Sequence, residues 1–453
     1  MDLRSISRIA VIALLVAAVG GLSASARGQS AGNAVSEWNL IAVNTLTRLP
    51  GPGGGAPPAS QINMGMTQGA VYDAVNAIEP KHHRPYLLKR RFSARASKEA
   101  AVATAAYRVL SSIVSTVPAT IPFPTQASLL ESLAAQYAAS LAAIPDTPFK
   151  RQGIAVGNAA AEAMIAAREN DGRFGPSQWV PNSAPGHWQP LINPATGQPT
   201  LDPTPWVGGV KPFLMQSSFQ FRTAGPNALS SSAWAQDFNE VKALGSTNSV
   251  ARTSTQTYIA RWWQSTPVAS WNAVARDLIA RREVDIVDSA RLFAMQNLSG
   301  ADAAINCWND KYHWDFWRPW NAIPRADEDG NPATAPDPTW TALITAPYPS
   351  HPSGHLCQDG AHTRVLRMFF GTDAPEGGFQ ITSISTLLGP DDPRTRTFSS
   401  FSQAIAELIE ARIWAGLHYR TADVQAELLG RNVAEYMADN YFQPVGKAAT
   451  NDD

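Results

Sequence analysis

The feature that most restricts what this chain can fold into is a succession of long, Ala-rich segments whose apolar residues recur every three to four positions. Residues 64–78 place Ala70, Val71, Ala74 and Val75 on one stripe, the period of a helix with one buried face. Residues 94–117, 125–143 and 148–169 repeat the pattern with few breakers. A first helix is expected over 37–49, and further ones over 230–244, 253–263, 269–282, 285–308, 356–370, 399–417 and 421–441. Helices that are apolar along one stripe bury it by packing side by side. The expected fold class is therefore all-α, a large helical bundle with long Pro/Trp-rich loops.

Two stretches interrupt the helices. Residues 50–58, Pro-Gly-Pro-Gly-Gly-Gly-Ala-Pro-Pro, read as a loop outside helix or strand. Residues 170–227 carry closely spaced prolines with Trp179, Trp188 and Trp206 among them. That aromatic content argues against disorder. The stretch reads as an ordered surface excursion that either shapes an access channel or covers the bundle. The expected organisation is one helical domain over 27–453: N-terminal helices at 36–170, the insert at 170–227 and a catalytic helical part at 230–445. The polar tail after Pro444 reads as frayed.

Residues 1–26 read as a signal peptide. Arg4 and Arg8 precede an apolar run over 9–22 and the small-residue site Ala24-Ser25-Ala26. An uncleaved anchor is the other reading. No later segment looks long and apolar enough for stable membrane insertion, so the expectation is an exported protein, periplasmic or secreted. A net charge of −1 gives no reason to expect a nucleic-acid partner. The two cysteines, Cys307 and Cys357, are read equally as a bridge or as two buried free thiols.

Three clusters carry chemistry. In Pro352-Ser353-Gly354-His355, a hydroxyl and backbone amides open a helix, where an oxyanion is favoured, and His355 stands beside it as a proton donor. In Lys311-Tyr-His-Trp-Asp-Phe-Trp-Arg318-Pro319, the seven-residue spacing puts both cations on one face if the segment is helical. The surrounding tryptophans imply burial, and buried cations need an anion. In Arg412-Ile-Trp-Ala-Gly-Leu-His418, the six-residue spacing does not share a helical face, so the helix must end near Gly416 or Arg412 must reach around. Three cations, an amide site and two histidines suit a phosphate-like ion. A competing reading takes His355, Asp359 and His362, at i, i+4 and i+7, as a zinc site.

In order and internal spacing the three clusters resemble the signature shared by the vanadium-dependent haloperoxidases and the type-2 phosphatidic acid phosphatase superfamily. Residues 64–78 and 302–319 also look like segments of bacterial haloperoxidase-like members. The resemblance implies that Lys311, Arg318 and Arg412 hold the oxygens of vanadate, that Ser353 and the Gly354 amide add hydrogen bonds, that His418 bonds the vanadium, and that His355 is the general acid/base. Hydrogen peroxide, halide and a small organic acceptor would be the reactants. The alternative it allows is an acid phosphatase in which phosphate takes the same contacts and His418 forms a phosphohistidine. A non-catalytic anion binder is third. Self-association stays open. Three positions depart from the pattern: Ala411 precedes Arg412 where many members have Ser, Ala422 stands where an Asp usually orients the last His, with Asp423 one residue later, and His351 is unusual four residues before His355. Tyr348, seven before His355, falls where members differ with halide preference.

Overall fold

The computed structural model describes residues 33–79, 83–177 and 179–446. The expected signal peptide and most of the polar tail lie outside them. Among the described residues there are thirteen α-helices and one two-stranded hairpin, so the all-α expectation is met.

Helix α1 (Ala34–Leu46) is opened by Asn33, whose side chain accepts from the Val35 and Ser36 amides. The run expected as a plain loop is partly ordered: 51–55 winds into a single π-type turn. There a Cβ at Gly55 would lie 2.1 Å from the Leu49 carbonyl oxygen. Helix α2 (Pro57–Ile78) begins seven residues before the apolar stripe. Pro57 and Pro58 occupy its first turn, where no N–H is needed. Its residues are buried on every side, so it is the central helix rather than a surface one. Helices α3 (Lys98–Ser115) and α5 (Pro148–Ala167) pack against it, and α4 (Gln126–Ala142) packs on α3. Small residues bring α3 and α5 together, since a Cβ at Gly157 would meet the Ala101 carbonyl at 2.5 Å.

The C-terminal half contains α6 (Ser232–Leu244), α7 (Ser254–Trp262), α8 (Pro267–Arg281), α9 (Ile286–Trp314), α10 (Pro319–Ala322), α11 (Gly354–Phe370), α12 (Phe401–Trp414) and α13 (Arg420–Asn440). Helix α9 packs along α2, with Gly65 against Ala301 and Gly69 against Leu298. Helix α11 crosses α13 closely at Gly430, whose added Cβ would stand 2.2 Å from the Cys357 carbonyl oxygen. Strands β1 (Phe379–Thr382) and β2 (Thr395–Phe398) pair antiparallel, a feature the helical reading did not include. Phe379 stacks on Phe398 and Phe401 at 5.8 and 4.9 Å, anchoring the hairpin at the start of α12. A large apolar core runs from Val35 to Phe442, and a smaller aromatic one gathers Trp234, Phe316, Trp317 and Tyr419.

Among its described residues the 170–227 insert contains one short 3-10 turn, Pro205–Gly209, and α9 holds it down. Asp302 accepts from the Phe213, Leu214 and Met215 amides at 2.7, 2.7 and 2.8 Å. Asn306 accepts from the Phe221 amide and Asp310 from the Thr223 amide. Positions 302, 306 and 310 are spaced by four and form one polar row along the helix. The row satisfies backbone groups that a Pro-rich segment cannot pair by itself.

Candidate active site

Four helix ends meet at one place. Lys311 lies in the last turn of α9 and Arg412 in the last turn of α12, at C-terminal ends that favour cations. The N-termini of α11 and α13 face the same region with their positive ends. The expectation that Lys311 and Arg318 share one helical face is not met. Asp315, in a left-handed conformation (φ 45°), stops α9, and Arg318 becomes the residue that precedes α10. The turn, not the helical period, brings the two cations together.

Lys311 is fully buried, and its ammonium donates to the carbonyls of Pro349, Ser350 and Pro352 at 3.0, 3.4 and 2.5 Å. The rings of Trp308 and Tyr348 lie 5.5 and 5.1 Å from Nζ. Arg318, also fully buried, donates from Nε to the Tyr348 carbonyl and from Nη1 to the Leu417 carbonyl. Its Nη1 also lies 3.3 Å from Nε2 of His418. A guanidinium can only donate, so Nε2 of His418 carries the lone pair and Nδ1 the proton. Gly416, at φ 71°, turns the chain after α12. That turn resolves the six-residue spacing of Arg412 and His418 as the sequence required.

At the start of α11, Ser353 is the N-terminal capping residue, but its hydroxyl makes no cap bond. A Cβ on Gly354 would press on Trp308 at 3.0 Å and approach Lys311 Cε at 3.7 Å. This position therefore needs glycine for close approach. His355 donates from Nε2 to the Ser265 carbonyl at 3.1 Å, which leaves Nδ1 as its proton acceptor. It is the one half-buried member of a set whose other members are buried.

The orphaned atoms define what the site lacks. Arg318 Nη2, Arg412 Nε and Nη1, Ser350 Oγ, Ser353 Oγ and His418 Nδ1 are buried without a hydrogen-bond partner among the described residues. Unpaired buried donors are costly; those of Arg318 and Arg412 lie with Lys311 around His418, Ser350 stands beside Lys311 through its carbonyl, and Ser353 stands beside Asp423. Arg318, Arg412, Lys311 and His355 all bear electrostatically on His418. An oxyanion of the size and charge of vanadate or phosphate suits the unpaired guanidinium nitrogens and the Lys311 charge together, so the residues fit that group. Ser350 is the member the sequence reading missed, and only its place two residues before Pro352 could have flagged it. Asp423 does not hydrogen-bond His418; its carboxyl lies beside Ser353 and near Arg412.

Burial and mutual repulsion shift every charge here. Burial first, with the Arg318 charge added, lowers Lys311 to about 7. Arg318 falls to about 10, mainly by burial. His355 and His418 are driven well below the ordinary histidine range by burial and by the neighbouring cations. Burial raises Asp423 to about 8. The pocket thus holds neutral histidines and a lysine poised near neutrality.

The remaining singled-out residues separate from this point. His351 is buried, and its Nε2 lies 3.0 Å from the Thr223 hydroxyl, which donates to Asp310. That chain makes His351 part of the strapping of the insert. Tyr348 offers its carbonyl to Arg318 and its ring to both cations. The zinc arrangement does not form: His362 bonds Gln61, Asp359 takes the Trp271 indole N–H, and His355 turns to Ser265. Cys307 and Cys357 are free and buried. A cavity of about 390 Å³ lies between the insert and α9, walled by Trp179, Trp206, Trp308 and Tyr312. Trp308 separates it from Lys311, so the insert both covers the bundle and shapes a cavity beside the site.

The architecture and site define an all-α protein with a buried oxyanion pocket at its C-terminal helix ends. Residues 291–447 match the family model of the VCPO second helical-bundle domain. The vanadium chloroperoxidase of Curvularia inaequalis is 28% identical over 229 residues, a match covering 38% of this chain and 37% of that protein. The chain thus matches little more than a third of that relative's length. The crystal structure of the first bacterial vanadium-dependent iodoperoxidase superposes with a TM-score of 0.71 at 22% identity, covering 91% of this chain and 98% of the other. A holo-type bacterial vanadium-dependent chloroperoxidase gives 0.69 at 15% identity, over 90% and 97%. The fold is that of the vanadium haloperoxidases, in line with the resemblance carried by the three clusters.

Proposed function

We propose that this protein is a vanadate-dependent haloperoxidase that uses hydrogen peroxide to oxidise halide to hypohalite, which then halogenates a small organic acceptor. The observation that carries the proposal is the set of unpaired buried nitrogens of Arg318 and Arg412, gathered with Lys311 around His418. The vanadium peroxidases to which the chain is similar support the same reading. When bound, vanadate supplies the Lewis-acid centre that activates peroxide. The chain's own residues do the rest. Lys311, Arg318 and Arg412 offset the charge on the oxygens. Ser353 and the Gly354 amide orient them. His418, held among Arg318, Lys311 and Arg412, would supply the ring nitrogen that anchors the anion. His355, neutral and with Nδ1 free of the Ser265 bond, accepts and returns a proton beside it. Burial keeps bulk water from competing for these contacts. We further place the protein outside the cytoplasm, in the periplasm or secreted, on the strength of the signal pattern in residues 1–26.

The test is peroxide-dependent bromination and iodination of a colour-changing phenol, with and without added orthovanadate, run beside phosphate release from an aryl phosphate. Halogenation that requires orthovanadate is the expected result. Phosphate release that orthovanadate inhibits, without halogenation, would assign the same pocket to phosphoryl transfer instead.

A further inference from the structure

We propose that Cys307 and Cys357 form a redox-active pair that peroxide oxidises to a disulfide, and that the state of the pair is passed to Lys311 and the start of α11. Both side chains are fully buried, and the two thiols are near enough to act electrostatically on one another. These are the only cysteines in the chain, so any internal exchange is between these two. Cys307 sits one helical turn before Lys311 on α9, and Cys357 sits one turn after Ser353 on α11. The pair therefore bridges the two elements that supply a cation and an amide terminus to the pocket. The Cys307 thiol approaches the Pro352 carbonyl at 3.9 Å, and the same oxygen accepts from Lys311 Nζ at 2.5 Å. One carbonyl thus links thiol and ammonium directly. A structural metal is no alternative role, because no group of His, Cys, Asp and Glu suited to a metal is found among the described residues.

The chemistry closes without other reagents. Cys307, as thiolate, attacks one oxygen of hydrogen peroxide; the O–O bond breaks and hydroxide leaves, giving a sulfenic acid. The Cys357 thiol then attacks that sulfur, the S–O bond breaks, and water departs with the thiol proton. Two thiols and one peroxide become one disulfide and two waters. Hydrogen peroxide is small and uncharged, and its source rests on the proposed activity, which would use it one residue layer away. Disulfide formation draws the sulfurs to about 2 Å, closer than two free thiols can pack. It also removes the S–H from the Pro352 carbonyl and so changes how that carbonyl holds Lys311.

The experiment uses the full-length protein, reduced and then exposed to graded hydrogen peroxide without vanadate or halide, so that no hypohalite forms. Intact mass and thiol labelling under denaturing conditions count the cysteines. The expected result is a loss of two hydrogens and of both thiols, reversed by dithiothreitol, whereas Cys357→Ser gains oxygen on Cys307 instead. Affinity for inorganic phosphate is then compared between reduced and oxidised protein, with a change of at least about threefold expected, a shift easily resolved by titration. Two thiols that survive peroxide, or oxygen added to wild-type cysteines without disulfide, would overturn the pair. Disulfide formation with unchanged phosphate affinity would overturn its link to Lys311. Neither readout needs halogenation, so a failure here is distinct from failure of the haloperoxidase reading.

Discussion

At the scale of single residues, the pocket is built against the stability of the protein that contains it. Arg412 is 3% exposed and leaves two nitrogens without partners. Replacing a buried, poorly paired charge by an apolar side chain of similar volume commonly stabilises by about 1–4 kcal/mol. Arg412→Met is therefore expected to leave the thermal midpoint of the anion-free protein unchanged or higher while orthovanadate binding falls at least about tenfold, a loss of roughly 1.4 kcal/mol. Scanning calorimetry and titration calorimetry on the same samples check both halves. Lys311 gives a pH signature. Its value near 7 without anion rises when a negative ion binds, because the ion favours the charged form. Above about pH 7 the complex must then take up a proton, and affinity falls as pH rises, by up to about one log unit per pH unit. Lys311→Met should remove that slope. The anion titrates identically against both proteins, so the difference between the two pH profiles isolates the lysine. Of these residues, all but Ser350 were legible in the sequence, because a tripartite order of cations, Ser-Gly and histidines is rarely met by chance. Ser350 was not, since a lone serine in a Pro-rich loop carries no spacing signal.

At the scale of elements, helices were legible and their ends were not. The apolar stripe of α2 starts well inside the helix, because Pro57 and Pro58 open it without contributing to the pattern. Lys311 and Arg318 have helical spacing, yet Asp315 breaks the helix between them. The aromatic run there carries no breaker, so only tertiary packing decides the end. The hairpin of β1 and β2 was invisible because each strand has four residues, too few for a period to register. The row Asp302, Asn306 and Asp310 was likewise silent, since its partners are backbone amides about 85–89 residues away in sequence. Its importance can be measured. Asp302→Ala leaves three buried amides unpaired, which at about 1–3 kcal/mol each, partly relieved by water, amounts to a loss on the order of 3–5 kcal/mol. Denaturant unfolding should show that loss, and hydrogen exchange should show early exposure of 213–215. Gly430→Ala tests the α11–α13 crossing. Its methyl cannot fit 2.2 Å from the Cys357 carbonyl, so the helices must separate, with destabilisation of about 1–3 kcal/mol by the same unfolding assay.

At the scale of the whole molecule, the N-terminal helices and the insert form the support for a pocket whose ligating residues all come from 311–418. The central pair α2 and α9 fixes where α9 ends, the insert strapped to α9 closes one side, and the aromatic core around Trp234 and Tyr419 backs the other. This division explains why residues 291–447 carry the family match, while the more distant structural likeness extends over 91% of the chain. The central claim is that one vanadate is held by these cations and anchored on His418. Titration of orthovanadate into wild type and His418→Ala, with far-UV circular dichroism to confirm that both are folded, tests it most directly. The account predicts one site per chain in wild type and binding weakened at least about tenfold in the variant, or roughly 1.4 kcal/mol. Equal binding by the two folded proteins, or none by wild type, would contradict it.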